Sequence, residues 1–201
     1  MESPKDTIPS LEDLFRDFDH PNPLINKMAY INMLKFWPTE SMNLLLLNLD
    51  NSDLKLRRKS INALGIYGET ILLKIFQIFC ENKDKITRIS CLKIILKVVI
   101  NENMAVLPGN LVGIIELSII DDSPEIILGL VLLLRQLGDQ GIFYLLKMCN
   151  DSNVLRATSS ITAISEMDCK EKIHTLLTQI INNDEKDILI INAAKEALNN
   201  I

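Results

Sequence analysis

The stretch TESMNLLLLNLDNSDLKLRRKSINALG, residues 39–65, sets the architecture. Two apolar segments flank a short polar turn, Asp50-Asn51-Ser52-Asp53. Before the turn the apolar positions are Met42, Leu44, Leu45, Leu46, Leu47 and Leu49. After it they are Leu54, Leu56, Ile61, Ala63 and Leu64. Spacings of three, four and seven dominate over strict alternation, so both segments read as helices. Asp, Asn and Ser in the turn suit an N-cap, because their side-chain oxygens accept from the free N–H groups of the following helix. The unit is a helical hairpin.

The same unit recurs along the chain. Polar turns begin at Asp19, Asp50, Glu81, Asp121, Asn150 and Asn182, so successive starts lie 31, 31, 40, 29 and 32 residues apart. A period of about 30 marks a helical repeat array. The long step holds Asn101 to Asn110 with Pro108-Gly109, which reads as a loop insertion. Pro23 and Pro124 fall at helix starts, where a missing N–H breaks no intrahelical bond. Six hairpins follow: 10–36, 39–66, 69–100, 110–137, 140–166 and 169–199. The Ile-rich run Lys93 to Ile100 has strand propensity, but it stands in a second-helix place where a strand would break the array. One hairpin leaves an apolar face in water and stacking covers it. The expectation is an all-α fold, an α-α superhelix or HEAT-like solenoid of about six hairpins. It forms one domain over 1–201, with 1–9 as a flexible N-terminal segment.

Composition fits this picture and narrows function. The chain has 201 residues, 48% hydrophobic and 23% charged, enough for a core; aromatics are only 5%, so Leu and Ile must fill it. A net charge of −5 argues against a dedicated nucleic-acid binder, which needs clustered cations. The strongest apolar run, Ile126 to Leu134, is shorter than the roughly 20 residues of a membrane span. Cys80, Cys91, Cys149 and Cys169 form no CxxC pair, and with His20 and His174 they give no zinc spacing. They read as reduced core residues in a reducing compartment. No Gly-rich phosphate loop and no GxSxG elbow occurs. The sequence offers no catalytic set and no metal ligands.

Some local motifs are more specific. Ala63-Leu64-Gly65-Ile66-Tyr67-Gly68 ends the second helix of the second hairpin, and Leu137-Gly138-Asp139-Gln140-Gly141 repeats the pattern two hairpins later. With Leu49 to Asp53 and Leu56-Arg57-Arg58, these resemble a HEAT repeat of the short bacterial type. His20-Pro21-Asn22-Pro23, Phe36-Trp37-Pro38, Glu40-Ser41-Met42 and Leu56-Arg57-Arg58 through Gly68 follow one another as in the HEAT-repeat phycobilin lyase subunits. Length and element order look most like their small subunit, the Z type of the phycoerythrin Y/Z pair or the F type of the E/F pair. From residue 111 onward, Ile and Leu replace the small and basic residues usual in such repeats.

The resemblance implies a subunit or chaperone-like partner of a bilin lyase. It would assist thioether attachment of a bilin to a phycobiliprotein cysteine, phycoerythrin first, with the acceptor cysteine on the client. Whether the chain itself counts as a carbon–sulfur lyase stays open. The implied partners are the client phycobiliprotein subunit and a larger HEAT-repeat lyase subunit. A phycoerythrobilin-like bilin is the implied transient ligand, with no permanently bound cofactor. The implied place is the cyanobacterial cytoplasm or an algal plastid stroma. The alternative is a HEAT adaptor that binds only protein, such as a phycobilisome-degradation factor.

A bilin carries two propionates, ring nitrogens and an apolar body, which call for Arg or Lys, a carboxylate, and apolar walls respectively. The densest set of such residues is His20, Tyr30, Trp37, Glu40, Asp53, Arg57, Arg58 and Tyr67, in the first two hairpins, with Arg88 beyond them. Each has a plainer role. Arg57 or Arg58 can pair with a turn acid, Trp37 and Tyr67 can pack, His20 can cap, and His174 can stand in water. Arg57, Arg88 and Arg156 occupy similar early second-helix places and can form a polar seam.

Overall fold

A computed structural model describes residues 8–167 and 170–200. It is all-α, with no strand among the described residues. The helices are α1 (Leu11–Phe18), α2 (Pro23–Phe36), α3 (Pro38–Leu46), α4 (Leu54–Leu64), α5 (Leu72–Glu81) and α6 (Lys85–Asn101). They continue with α7 (Gly113–Ile119), α8 (Pro124–Gln136), α9 (Asp139–Met148), α10 (Val154–Ser165), α11 (Lys170–Ile181) and α12 (Ile188–Asn199). They pair in chain order into six hairpins, as the turn spacing predicts.

The polar turns start helices in the expected way. Asn22, Asp53, Asp84, Asn153 and Asp187 each accept a backbone N–H in the first turn of a second helix. Pro23 and Pro124 are the first helical residues of α2 and α8. The 101–110 insertion is shorter than its sequence suggests. Asn101 still belongs to α6, Asn103 takes a positive φ of 51°, and a 3-10 turn at Gly109–Leu111 leads into α7. Gln140 from α9 caps this loop by accepting Leu107 N–H at 2.9 Å.

The hairpins stack in a row. The second helices α4, α6, α8, α10 and α12 pack successively on one another, α6 on α8 most heavily. The first hairpin joins the row differently, through α2 on α3 and α2 on the 3-10 segment Gly65–Ile71. The core is therefore continuous rather than central. α6 shows why its β-branched run is helical: Cys91, Leu92, Ile94, Ile95, Val98 and Val99 are all buried between α4, α5 and α8. Burial at roughly 1.5–3 kcal/mol per large side chain outweighs a propensity difference below about 1 kcal/mol per residue.

Glycines set two close approaches. A Cβ on Gly65 would lie 2.6 Å from Lys97 Cβ, so α6 can run directly against the end of α4. Gly68 has φ 63° and ψ −150°, a region open in practice to glycine alone, and there the backbone turns toward α5. The stretch Leu54–Glu81 has the length and hydropathy of a membrane span. Gly68 breaks it, however, and half of its most apolar window is buried.

One expectation about the cysteines is corrected. Cys91 and Cys149 are buried and free, but Cys80 is exposed, because α5 turns it away from the core side occupied by Ile75 and Phe79. Cys169 lies outside the described residues.

Candidate functional site

The nine residues singled out from sequence do not converge on one cleft. Tyr30 is buried against Phe18, with ring centroids 5.4 Å apart, and burial, then the Asp19 charge, pushes its hydroxyl above 10.0. Tyr67 is buried at the α2–α3 corner and shares a 2.6 Å hydrogen bond with Ser41 Oγ; burial raises its pKa as well. Ser41 in turn donates to the Trp37 carbonyl. Trp37 is half-buried between α2 and α3 and its Nε1 donates to Pro9 O at 2.9 Å. His20 Nδ1 accepts Asn22 N–H at 3.0 Å and shapes the first turn. Asp53 caps α4, accepting Lys55 and Leu56 N–H at 2.8 and 3.3 Å.

The arginines divide into two kinds. Arg57 donates to Asn51 O in its own turn. Arg88 stacks on Phe79, 4.4 Å from the ring centroid, and pairs with Asp121 in the next turn. Arg156 is buried and spans Asp151 at 2.9 Å, Asp122 at 3.0 Å and Asp121 O at 3.0 Å. These three stitch turns to second helices, the seam that their spacing suggests. Lys59 extends it at the N-terminal end by holding Asp19 at 2.6 Å, which keeps that carboxyl below 3.8. Arg58 and Glu40, by contrast, are exposed and have no ionic partner among the described residues.

One open surface lies along the second helices. Counting from the first residue of each, the ninth position holds Ile31, Asn62, Lys93, Leu132, Thr162 and Glu196, and all six are exposed. One register thus defines a ridge whose chemistry changes along the row. At that position it is apolar on α2, a neutral amide on α4, basic on α6, apolar on α8, hydroxyl-bearing on α10 and acidic on α12; Arg58, one turn earlier on α4, extends the basic stretch. Arg58, Lys93 and Lys97 stand on the basic stretch, exposed and without an ionic partner among the described residues.

Between α6 and α8 the ridge opens into a groove of about 220 Å³. Ile89, Leu92 and Leu96 form one wall and Leu128 and Leu132 the other, with Lys93 and Glu125 at the edges. Gly129 makes the floor: a Cβ there would lie 2.7 Å from Ile89 Cδ1. Leu128 and Leu132 remain 45% and 53% exposed, so the groove is an uncovered apolar surface. A second depression of about 390 Å³, between α10 and α12, is polar, with Thr162, Ser165, Glu166 and Glu196 in its wall. Sequence reasoning missed the groove. Its walls come from helices of different hairpins, and only Lys93, within an Ile-rich segment, hinted that α6 has a solvent face.

None of the described cysteine thiols is activated. The Cys91 and Cys149 thiols are pushed up to about 12 by burial. The exposed Cys80 thiol is also raised, by desolvation, which the Arg88 charge only partly opposes. Among the described residues no group of three metal-binding side chains comes together. The arrangement can hold and orient another molecule through apolar contact and unpaired cations.

Two curated proteins are similar to this chain. "Bilin biosynthesis protein CpeZ" of Synechococcus sp. (strain WH8020) is 23% identical over 168 residues, covering 81% of this chain and 90% of that protein. "Uncharacterized phycocyanin operon protein Z" of Pseudanabaena tenuis (strain PCC 7409) is 23% identical over 193 residues, covering 96% and 95%. No family model matches. Both names carry the Z designation, one of the two types, Z or F, that length and element order suggested.

Proposed function

We propose that this chain is a HEAT-repeat helper in bilin attachment, a non-autonomous subunit or chaperone that holds a phycobiliprotein subunit for its lyase. The observation that carries this is similarity over 96% of the chain to a phycocyanin-operon protein and over 81% of it to a bilin biosynthesis protein. The surface supports it. A long ridge with an apolar groove and unpaired cations suits holding, and thioether formation needs a client thiolate and a bilin fixed in reach of each other. Orientation alone can contribute several kcal/mol to such a step. The bilin is a transient ligand of the assembly, and the larger lyase subunit and the client are the protein partners.

The test is reconstitution. The chain is co-expressed with a phycoerythrin or a phycocyanin subunit, a bilin-synthesis system and the cognate larger lyase, and covalent bilin on the client is measured. Omitting the chain should lower chromophore yield or client solubility several-fold. Equal yield and equal solubility without it would overturn the proposal and leave a protein-binding adaptor with no part in attachment.

A further inference from the structure

We infer that the α6–α8 groove is the seat of an acidic amphipathic helix from a partner protein. This rests on the reading of the chain as a docking protein and does not require the partner to carry pigment. Four observations point to that occupant. The groove runs between two packed second helices of the row and is walled by aliphatic side chains, the form that accepts the apolar stripe of a helix. Its volume, about 220 Å³, falls below the roughly 300–1,000 Å³ of small-molecule pockets and suits a few aliphatic anchors. Gly129 opens its floor, since a Cβ there would lie 2.7 Å from Ile89 Cδ1 and push that side-chain tip aside. Finally, charge selects the partner. Although the chain is net −5, the α6 side of the groove presents Lys93 and Lys97, with Arg58 on α4 beyond them, against one lining carboxylate, Glu125, at the α8 edge.

The neighbouring positions on α10 are Thr158, Ser159 and Thr162, whose hydroxyls already donate to their own helix carbonyls, so the apolar stretch ends there. A partner helix of about 18 residues, at 1.5 Å per residue, would lie along the groove between α6 and α8. Its aliphatic residues at i, i+4 and i+7 would enter the groove, and its carboxylates would lie toward α4 and α6.

The experiment needs neither client nor pigment, so its failure is separable from failure of the reconstitution. The probe is a fluorescein-labelled helical peptide of about 18 residues, with Leu at i, i+4 and i+7 and Glu at flanking positions. The control peptide replaces each Glu by Lys. Binding to the full chain is followed by fluorescence anisotropy. The Glu peptide should bind at least tenfold more tightly than the Lys peptide and should weaken with added salt. Leu132→Asp, and separately Lys93→Glu with Lys97→Glu, should each weaken it at least tenfold. The lysine variants lie outside the core, and their circular dichroism should match the parent. Equal affinity for the two peptides, or undiminished binding by the variants, overturns the inference. So does displacement of the peptide by micromolar biliverdin, which would make the groove a pigment site, or a dimer of the chain that Leu132→Asp splits.

Discussion

Gly141 and Gly138 are three residues apart and need glycine for different reasons. A Cβ on Gly141 would lie 1.6 Å from Leu134 O, so a backbone atom of α8 occupies that space and cannot rotate away. Gly138 meets nothing within 4 Å, but its φ of 54° and ψ of −124° disfavour any side chain. Gly138→Ala should therefore cost about 1–3 kcal/mol of backbone strain. Gly141→Ala should cost more, because α9 must move off α8. Denaturant unfolding of both variants gives the comparison, and equal losses would show that the α8–α9 contact can relax. The titrating groups set limits at both ends of the pH scale. Burial alone would raise the Asp121 carboxyl, but its bonds with Ser123 and the Arg88 guanidinium hold it below 3.8; Thr87 does the same for Asp84. The stability from these depressed carboxyls is present above about pH 3.8 and is lost as pH falls through their folded values. Cys91 and Cys149 act in the opposite sense. Their thiols hold the proton up to about 12 in the folded chain against 9.0 ordinarily, so stability falls as pH rises above 9. Denaturation midpoints against pH should show a plateau bounded on both sides, with the alkaline loss reduced in Cys149→Ala relative to its own neutral-pH stability.

At the scale of helices and turns, the sequence was legible wherever the cause is local. Caps such as Asp53 and Asp84, first-turn prolines and three–four spacing are read from neighbouring residues, and all six hairpins follow from them. Partner identities were not legible, because they depend on how hairpins stack. Arg57 reaches a carbonyl in its own turn, whereas Arg88 reaches forward to Asp121 and Arg156 reaches back to Asp122. The three look alike in sequence. Tyr30 and Tyr67 combined polarity with an early place in the chain, yet stacking buried both; the α6–α8 groove arises from two separate segments, 89–96 and 125–132. The seam carries a prediction of its own. Arg156 is 5% exposed, but its partner Asp122 keeps most of its side chain in water. Removing the arginine strands only Asp151, whose side chain keeps 25% exposure and still accepts Asn153 N–H at 2.8 Å, so Arg156→Ala should cost about 2–3 kcal/mol, the value of its charged hydrogen bonds. That is below the roughly 3–5 kcal/mol for halving a fully buried pair. Arg156→Lys should recover only part, since one ammonium cannot span the Asp151 and Asp122 turns as the fork does.

The whole molecule behaves as a row in which each hairpin meets its neighbours, so stability should vary along it rather than being shared equally. The section around α6 and α8 packs most heavily, and its core-facing side chains Ile94, Ile95, Leu130 and Leu133 are fully buried. The first hairpin is attached more narrowly. α2 leaves Leu24 and Met28 mostly exposed and touches the second hairpin through α3 and the Gly65–Ile71 segment. At that joint Tyr67 bonds to Ser41, and Ser41 bonds to the carbonyl of Trp37. Tyr67→Phe removes one hydroxyl from the joint while keeping the ring. Ser41 retains its carbonyl acceptor, so the loss should be about 1 kcal/mol, or roughly fivefold in the local opening constant. Hydrogen exchange followed by mass spectrometry should then show faster exchange in α1, α2 and α3, with α8, α10 and α12 unchanged. A uniform acceleration from α1 to α12 would mean that the row opens as one unit. The ridge would then be rigid throughout, and a partner docked on α6 and α8 would stabilise the first hairpin as strongly as its own neighbours do.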